Sequence, residues 1–247
     1  MESGNKIPKI IHYCWFGKGK KDKKIIEYIN TWKKVMPDYQ IIEWNEDNFP
    51  IDYNKYCLKA YKEKKYAFVS DVARLYALYE MGGIYFDTDV EAIKSMDILL
   101  DKKLVFAFES NRTVMTGIIA STKENAFIKN WLDTYEELSF YNENGSIDTT
   151  PNTFRVTDLL ISKGMVQNGE YQELTDGTCI LKTEVLGAYD VDNSCFINTE
   201  NTIAIHHCTN TWMPLSYKIK DKLKRKLASY LGREIYQKIR IVLKGKR

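Results

Sequence analysis

The chain has 247 residues, 44% of them apolar and 28% charged, with 13 Gly, 5 Pro and a net charge of +3. That length suits one large domain or two small ones with a sizeable core. No apolar run reaches bilayer-spanning length, and the opening MESGNKIPKI reads as lacking a hydrophobic signal segment.

Five cysteines (Cys14, Cys57, Cys179, Cys195 and Cys208) form no CxxC pair. This argues against a disulfide framework and a thiolate zinc site; it fits a reducing cytosol, with the cysteines as small core residues. The charge is unevenly distributed. Ser216 to Arg247 holds twelve Lys and Arg against two Asp and Glu, a local charge of +10, and the other 215 residues carry −7. An acidic body of residues 1–215 with a basic tail of 216–247 suggests two jobs.

In chain order, KIPKIIHYCWFG predicts a strand from Ile10 to Trp15 ending in a glycine turn. Ile25, Ile29, Trp32 and Met36 then follow at spacings of four, three and four, one face of a helix that Pro37 ends. YQIIEWN is a second strand. The stretch from Tyr56 to Gly83 is helical and broken near Lys65, with Phe68, Val72, Leu75 and Tyr79 as its core stripe and Gly82 as its stop. IYFD and KLVFAF are further strands, NAFIKNWLDTYEEL a helix, and NTIAIHH a late strand; between Ser139 and Cys195 the pattern weakens into loops. Alternating strands and helices at the start predict an α/β domain with a largely parallel sheet. Ligands of such sheets gather at the carboxyl ends of the strands.

The stretch GGIYFDTDV, Gly82 to Val90, ends a buried strand in two carboxylates. Strand alternation predicts Ile84 and Phe86 on one face, with Tyr85, Asp87 and, if the extended form persists, Asp89 on the other. Two carboxylates there can hold a hard divalent cation, which commonly also binds substrate phosphates. A D-x-D pattern alone reads more readily as a solvated turn. Asp71 and Arg74, three apart on a helix face, are equally readable as a surface ion pair. Their helix, however, runs directly into the Gly-Gly stop and the carboxylate strand.

SDVARLYALYEMGGIYFDTDV resembles the central motif of glycosyltransferase family 32, the capsular-polysaccharide type with a DXD sugar-binding region. It is also similar to the glucosyltransferase domains of large clostridial toxins. IPKIIHYCWFGK resembles the family's opening strand and AIHHCTNTW its closing His-to-Trp element; the similarity spans roughly residues 6 to 215. The resemblance implies a GT-A-type nucleotide-sugar-binding fold, a nucleotide-sugar donor, Mn2+ or Mg2+, and retention of anomeric configuration. It implies that Asp87 and Asp89 are the DXD pair, Asp89 the direct metal ligand and Asp87 the contact to ribose and metal shell. Asp71 and Arg74 correspond to the pair that grips the donor sugar, Tyr85 to a tyrosine beside the nucleotide, and Trp15 to an aromatic stacked on the base. Trp15 reads as well as a core tryptophan. His206 corresponds to the histidine completing the metal site, with His207 as the alternative, and Trp212 to a residue closing over the donor. The chain departs from the pattern at Met115-Thr116, where many relatives have an asparagine before the glycine. The divergent segment from Ser139 to Cys195 is expected to shape the acceptor site.

The expected activity is metal-dependent, retaining hexosyl transfer from a nucleotide sugar, UDP-linked, to a lipid-linked glycan acceptor in bacterial surface polysaccharide synthesis. The donor sugar itself is not legible. A phosphotransferase or nuclease would want a denser carboxylate cluster; a carbohydrate-binding or peripheral membrane module would need no donor. In the tail, Ile219, Leu223, Leu227 and Tyr230 share one helical face, as do Ile235, Ile239 and Val242 after Gly232, with basic residues around them. That pattern predicts helices lying on an anionic membrane surface, or else packed on the acidic body. It places the protein in the cytoplasm at the inner face of the cell membrane. No nucleic-acid motif accompanies the basic residues.

Overall fold

The computed structural model describes residues 6–209 and 215–244. In chain order it has β1 (Ile10–Cys14), α1 (Lys23–Val35), β2 (Gln40–Trp44), α2 (Lys55–Lys62), α3 (Tyr66–Met81), β3 (Gly83–Phe86), β4 (Val90–Ala92), β5 (Leu104–Ala107) and β6 (Ile118–Ser121). There follow α4 (Ala126–Glu137), α5 (Asn152–Ser162), β7 (Gln172–Glu173), β8 (Thr178–Leu181), β9 (Leu186–Gly187), β10 (Tyr189–Asp190), β11 (Cys195–Phe196), β12 (Ala204–His206), α6 (Leu215–Leu231) and α7 (Arg233–Lys244). Helix starts follow from side-chain caps: Asp22, Asn54 and Asn125 accept from the free amides of Ile25, Cys57 and Phe127, each worth about 1 kcal/mol.

Among the described residues, seven strands form the central sheet in the order β2-β1-β3-β6-β5-β8-β7. Five run one way; β6 and β7 run against them. The expected mixed α/β architecture with a largely parallel sheet is therefore what the chain has. Strand β3 is an interior strand, between β1 and β6, and is buried at every position, as a strand covered on both faces must be. Ile84 and Phe86 pack with Trp32 of α1 on one face; Tyr85 joins α2, α3 and α4 on the other.

Gly82 and Gly83 turn the chain from α3 into β3 at φ of +65° and +109°. A Cβ on Gly82 would sit 2.5 Å from the Lys123 amide nitrogen, so the turn admits only glycine. His12, fully buried, pins this corner: its Nε2 donates to Gly82 O at 2.7 Å and its Nδ1 accepts from Trp44 Nε1 at 3.0 Å. Burial lowers its pKa to about 4, keeping it neutral. The predicted break near Lys65 falls between α2 and α3. Strand β6 and helix α5 were not read from the sequence, and both lie against the site.

The second sheet positions the chemistry. Strand β12 pairs antiparallel with β4, with His206 opposite Val90, and β9 runs parallel on its other side. Trp32 Nε1 donates to Val90 O at 2.8 Å and ties this sheet to α1.

Candidate active site

At the end of β3 the chain leaves the extended form. Asp87 N still donates to Gly117 O at 2.8 Å, but Val90 N turns back to Asp87 O at 3.0 Å. Asp87 and Asp89 thus converge through a turn rather than through strand alternation. The β4–β12 pairing then delivers His206, and one ligand atom from each of Asp87, Asp89 and His206 lies within 4.8 Å of the others. His206 Nε2 is 3.2 Å from Asp89 Oδ1 and 3.7 Å from Asp87 Oδ2. His207 points away: its Nε2 donates to Glu91 at 2.9 Å and its ring stacks on Tyr28. Of the two histidines, only His206 joins the carboxylates.

The surroundings fit a divalent cation. Asp89 Oδ2 accepts from Thr209 N at 2.7 Å and Thr209 Oγ1 at 2.8 Å, leaving Oδ1 toward the group. Burial opposes ionisation of Asp89, but His206 and Thr209 override it and hold its carboxyl well below the usual range. Burial likewise disfavours the imidazolium of His206, yet Cys208 and Asp89 raise its pKa well above the ordinary value; a metal ion would take the place of that proton. Gly117 provides the space, since a Cβ there would meet His206 Cε1 at 2.5 Å and Asp87 Oδ2 at 2.9 Å.

Beside this group lies a buried cation. Arg74, with a side chain 5% exposed, reaches Asp71 Oδ1 at 2.9 Å and Asp87 Oδ1 at 3.5 Å. Its Nη1 donates to Thr116 O at 2.7 Å and its guanidinium lies 4.7 Å from the Tyr85 ring centroid. The Met115-Thr116 segment thus meets Arg74 through a backbone carbonyl, which any residue at 116 supplies. Asp71 also accepts from Asn152 of α5, itself held by Tyr135. Burial pushes its carboxyl up to about 6 against the pull of Arg74. Tyr85 is buried, and its hydroxyl donates to Asp87 at 2.9 Å, so it braces the turn from beneath.

Trp15 follows β1, whose parallel register with β3 puts it at the same carboxyl edge as the Asp87–Asp89 turn. It is half-buried, and its Nε1 donates to Gly19 O. Trp212 lies outside the described residues. Cys14, Cys57 and Cys179 are buried as expected. Cys208 instead belongs to the site, its Sγ 3.5 Å from His206 Nδ1.

Sequence reasoning also missed Glu109. It follows β5 and lines a cavity of about 410 Å3 with Arg112, Thr113, Phe154, Asp158 and Gln167. Burial pushes its carboxyl up to about 7, opposed by Thr113 and by the charge of nearby His206. Nothing in the local pattern marks it, because the cavity's other wall comes from the weakly patterned segment after Ser139.

Residues 22–106 match the family described as glycosyltransferase sugar-binding region containing DXD motif. Inositol phosphoceramide mannosyltransferase 3 of Schizosaccharomyces pombe is 34% identical over 131 residues, 49% of this chain and 35% of that protein. Inositol phosphoceramide mannosyltransferase 1 of the same organism is 28% identical over 137 residues, 51% and 38%. The chain thus matches little more than a third of the length of these curated relatives. Among solved structures it is similar to a glycosyltransferase involved in the glycosylation of the major capsid of PBCV-1. That likeness has a TM-score of 0.49 and 11% identity, and covers 88% of this chain and 99% of the other. Glycosyltransferase domains from a toxin are further neighbours at lower TM-scores. The chain carries a DXD-containing glycosyltransferase region, and Asp87 and Asp89 lie within it.

Proposed function

We propose that this protein transfers a hexose from a nucleotide sugar to an acceptor hydroxyl, with Asp87, Asp89 and His206 holding Mn2+ or Mg2+ at the donor diphosphate. The observation that carries this reading is the convergence of those three side chains beside the buried Arg74–Asp71 pair, at the carboxyl edge of β3. A bound divalent cation would supply Lewis-acid stabilisation of the departing diphosphate. Arg74, fixed by Asp71, Asp87, the carbonyls of Ser70 and Thr116 and the Tyr85 ring, presents positive charge that needs no reorganisation as the leaving group develops its own. Asp71 offers carboxylate oxygen to the sugar hydroxyls, and Trp15 an aromatic face to the base. Retention, which the family 32 resemblance gives, follows from attack on the face the diphosphate leaves. The acceptor oxygen bonds to the anomeric carbon as the sugar–phosphate bond breaks, and its proton passes to the leaving phosphate.

The cavity beside Glu109 is the acceptor's place in this reading. Carboxylate, amide and guanidinium groups around the exposed Phe154 ring are the chemistry that binds a sugar: hydrogen bonds at its edge, an apolar face beneath. Two observations favour a lipid-bearing acceptor. The matched relatives are named for an inositol phosphoceramide. On α6, Ile219, Leu223, Leu227 and Tyr230 stay exposed, while Ala228 of the same helix is buried. Among the described residues no helix is long and apolar enough to cross a membrane. Each basic residue near an anionic surface adds about 1 kcal/mol, so the tail holds the protein there reversibly. Surface-polysaccharide assembly at the inner face of a cell membrane is the setting this reading gives it.

The test is incubation of the purified chain and MnCl2 with GDP-mannose, UDP-glucose, UDP-galactose and UDP-N-acetylglucosamine, following release of nucleoside diphosphate. One donor should be consumed, and Asp89→Asn should lower the rate by at least about 100-fold. Consumption of none, or an Asp89→Asn enzyme at full rate, would refute the assignment.

A further inference from the structure

The basic tail looks separable from the enzyme, but one of its arginines grips the two residues that follow His206. Strand β12 ends at His206. Residues 207–209 are gripped from two sides. On one side, His207 N donates to Asp89 O at 3.1 Å, and Thr209 donates twice to the Asp89 carboxylate. On the other side stands Arg225 of α6. Its Nη1 donates to His207 O at 2.9 Å and its Nη2 to Cys208 O at 2.6 Å. The fork is itself fixed: Nε donates to Asp221 Oδ2 at 2.7 Å, and the guanidinium lies 4.3 Å from the Tyr189 ring centroid. Between the two grips, Cys208 takes a left-handed backbone with φ +47°, which a non-glycine residue holds only when its surroundings impose it. That conformation places its Sγ at His206 Nδ1, on the far side of the ring from Asp89.

We infer that Arg225 is a positioning residue for the metal group: by satisfying the carbonyls of His207 and Cys208 it holds the Cys208 turn, and through it the His206 ring, in register with Asp87 and Asp89. A bidentate guanidinium suits two successive carbonyls as no ammonium can. Helix α6 therefore belongs to the catalytic unit through its inner face while its apolar stripe faces outward. A tail that meets a surface through that stripe is mechanically continuous with the metal site. This inference rests on the metal reading of Asp87, Asp89 and His206.

The test is Mn2+ binding by the full chain without substrate, read as free Mn2+ by electron paramagnetic resonance. Wild type, Asp89→Asn, Arg225→Ala, Arg225→Lys and Arg240→Ala are compared, with thermal unfolding as a check on folding. Arg240 joins α7 to Asp192 and Asn193, so it reports docking of the tail without touching residues 206–209. Wild type should bind, Asp89→Asn should not, and Arg225→Ala should bind about 10- to 100-fold more weakly. Arg225→Lys should recover part of the loss, and Arg240→Ala should bind as wild type does. Arg225→Ala and Arg225→Lys both at wild-type affinity would overturn the inference and leave the metal reading standing. Equal weakening by Arg240→Ala would overturn it as well, since general loosening of the tail would then suffice. Wild type without Mn2+ affinity would remove both readings. Should Arg225→Ala fail to fold, the lysine variant decides alone: folded and unweakened, it refutes the two-carbonyl clamp.

Discussion

Gly117 faces the His206 ring across a gap that a single methyl would close: a Cβ there would lie 2.5 Å from His206 Cε1. Gly117 has no left-handed backbone to maintain, so alanine is tolerated by the chain and rejected only by the site. Gly117→Ala should fold with an unfolding midpoint within a few degrees of wild type. Mn2+ affinity and donor turnover should each fall at least about 10-fold, as expected when a ligand is misplaced. Undiminished Mn2+ binding by the folded variant would show that His206 is not a ligand.

Asp71 is tied to Arg74 and Asn152, and Arg74 bridges it to Asp87. Asp71→Asn keeps the shape and removes the charge. The variant should lose about 100-fold in kcat/KM for the nucleotide sugar, while its Kd for the free nucleoside diphosphate stays near wild type. Equal losses for both ligands would assign Asp71 to supporting Arg74 instead of the sugar.

Glu109 sets a pH dependence whose sign follows from burial. Its folded pKa is about 7 against an ordinary 4.5. The folded protein therefore keeps a proton that the unfolded chain has released. Stability on this account is greatest below about pH 4.5, falls as pH rises through the interval to 7, and levels off above it. Glu109→Gln removes that slope. In metal-free buffer, urea midpoints of wild type and variant should diverge from pH 5 to 7, the variant gaining relative to wild type. Parallel curves would mean that Glu109 ionises in the folded protein as freely as in the unfolded chain.

The exposed stripe of α6 separates the surface function from the chemistry. Leu223 is 62% exposed and Leu227 47%, so Leu223→Ser with Leu227→Ser should cost little stability. The double variant keeps every basic residue and Arg225. It should retain Mn2+ binding and donor hydrolysis but sediment much less with anionic liposomes at low salt than wild type does. Equal sedimentation of the two would exclude the stripe as the membrane contact.

Much of the local structure was legible because it is encoded locally. The stripe from Phe68 to Tyr79 announced α3, and the apolar Ile84-Tyr85-Phe86 run announced a buried strand that a double glycine must precede. The carboxylates of Asp87 and Asp89, and Asp71 with Arg74, stood out because charged groups beside a buried strand need a reason. The sequence could not choose between His206 and His207, since both adjoin the same strand end. Pairing of β12 with β4 made the choice, placing His206 beside the turn and sending His207 to Glu91. It also could not show that Asp89 arrives through a turn, that Gly117 clears space for a ring from 89 residues away, or that Glu109 faces a cavity walled by α5. Least visible was Arg225, one of twelve basic residues in a tail whose periodicity reports only which helix face is apolar. Side-chain spacing along one element fixes that element's faces. What meets across elements depends on strand register and helix docking, which are set by the packing of the whole chain, and it is there that the metal group and its clamp are assembled.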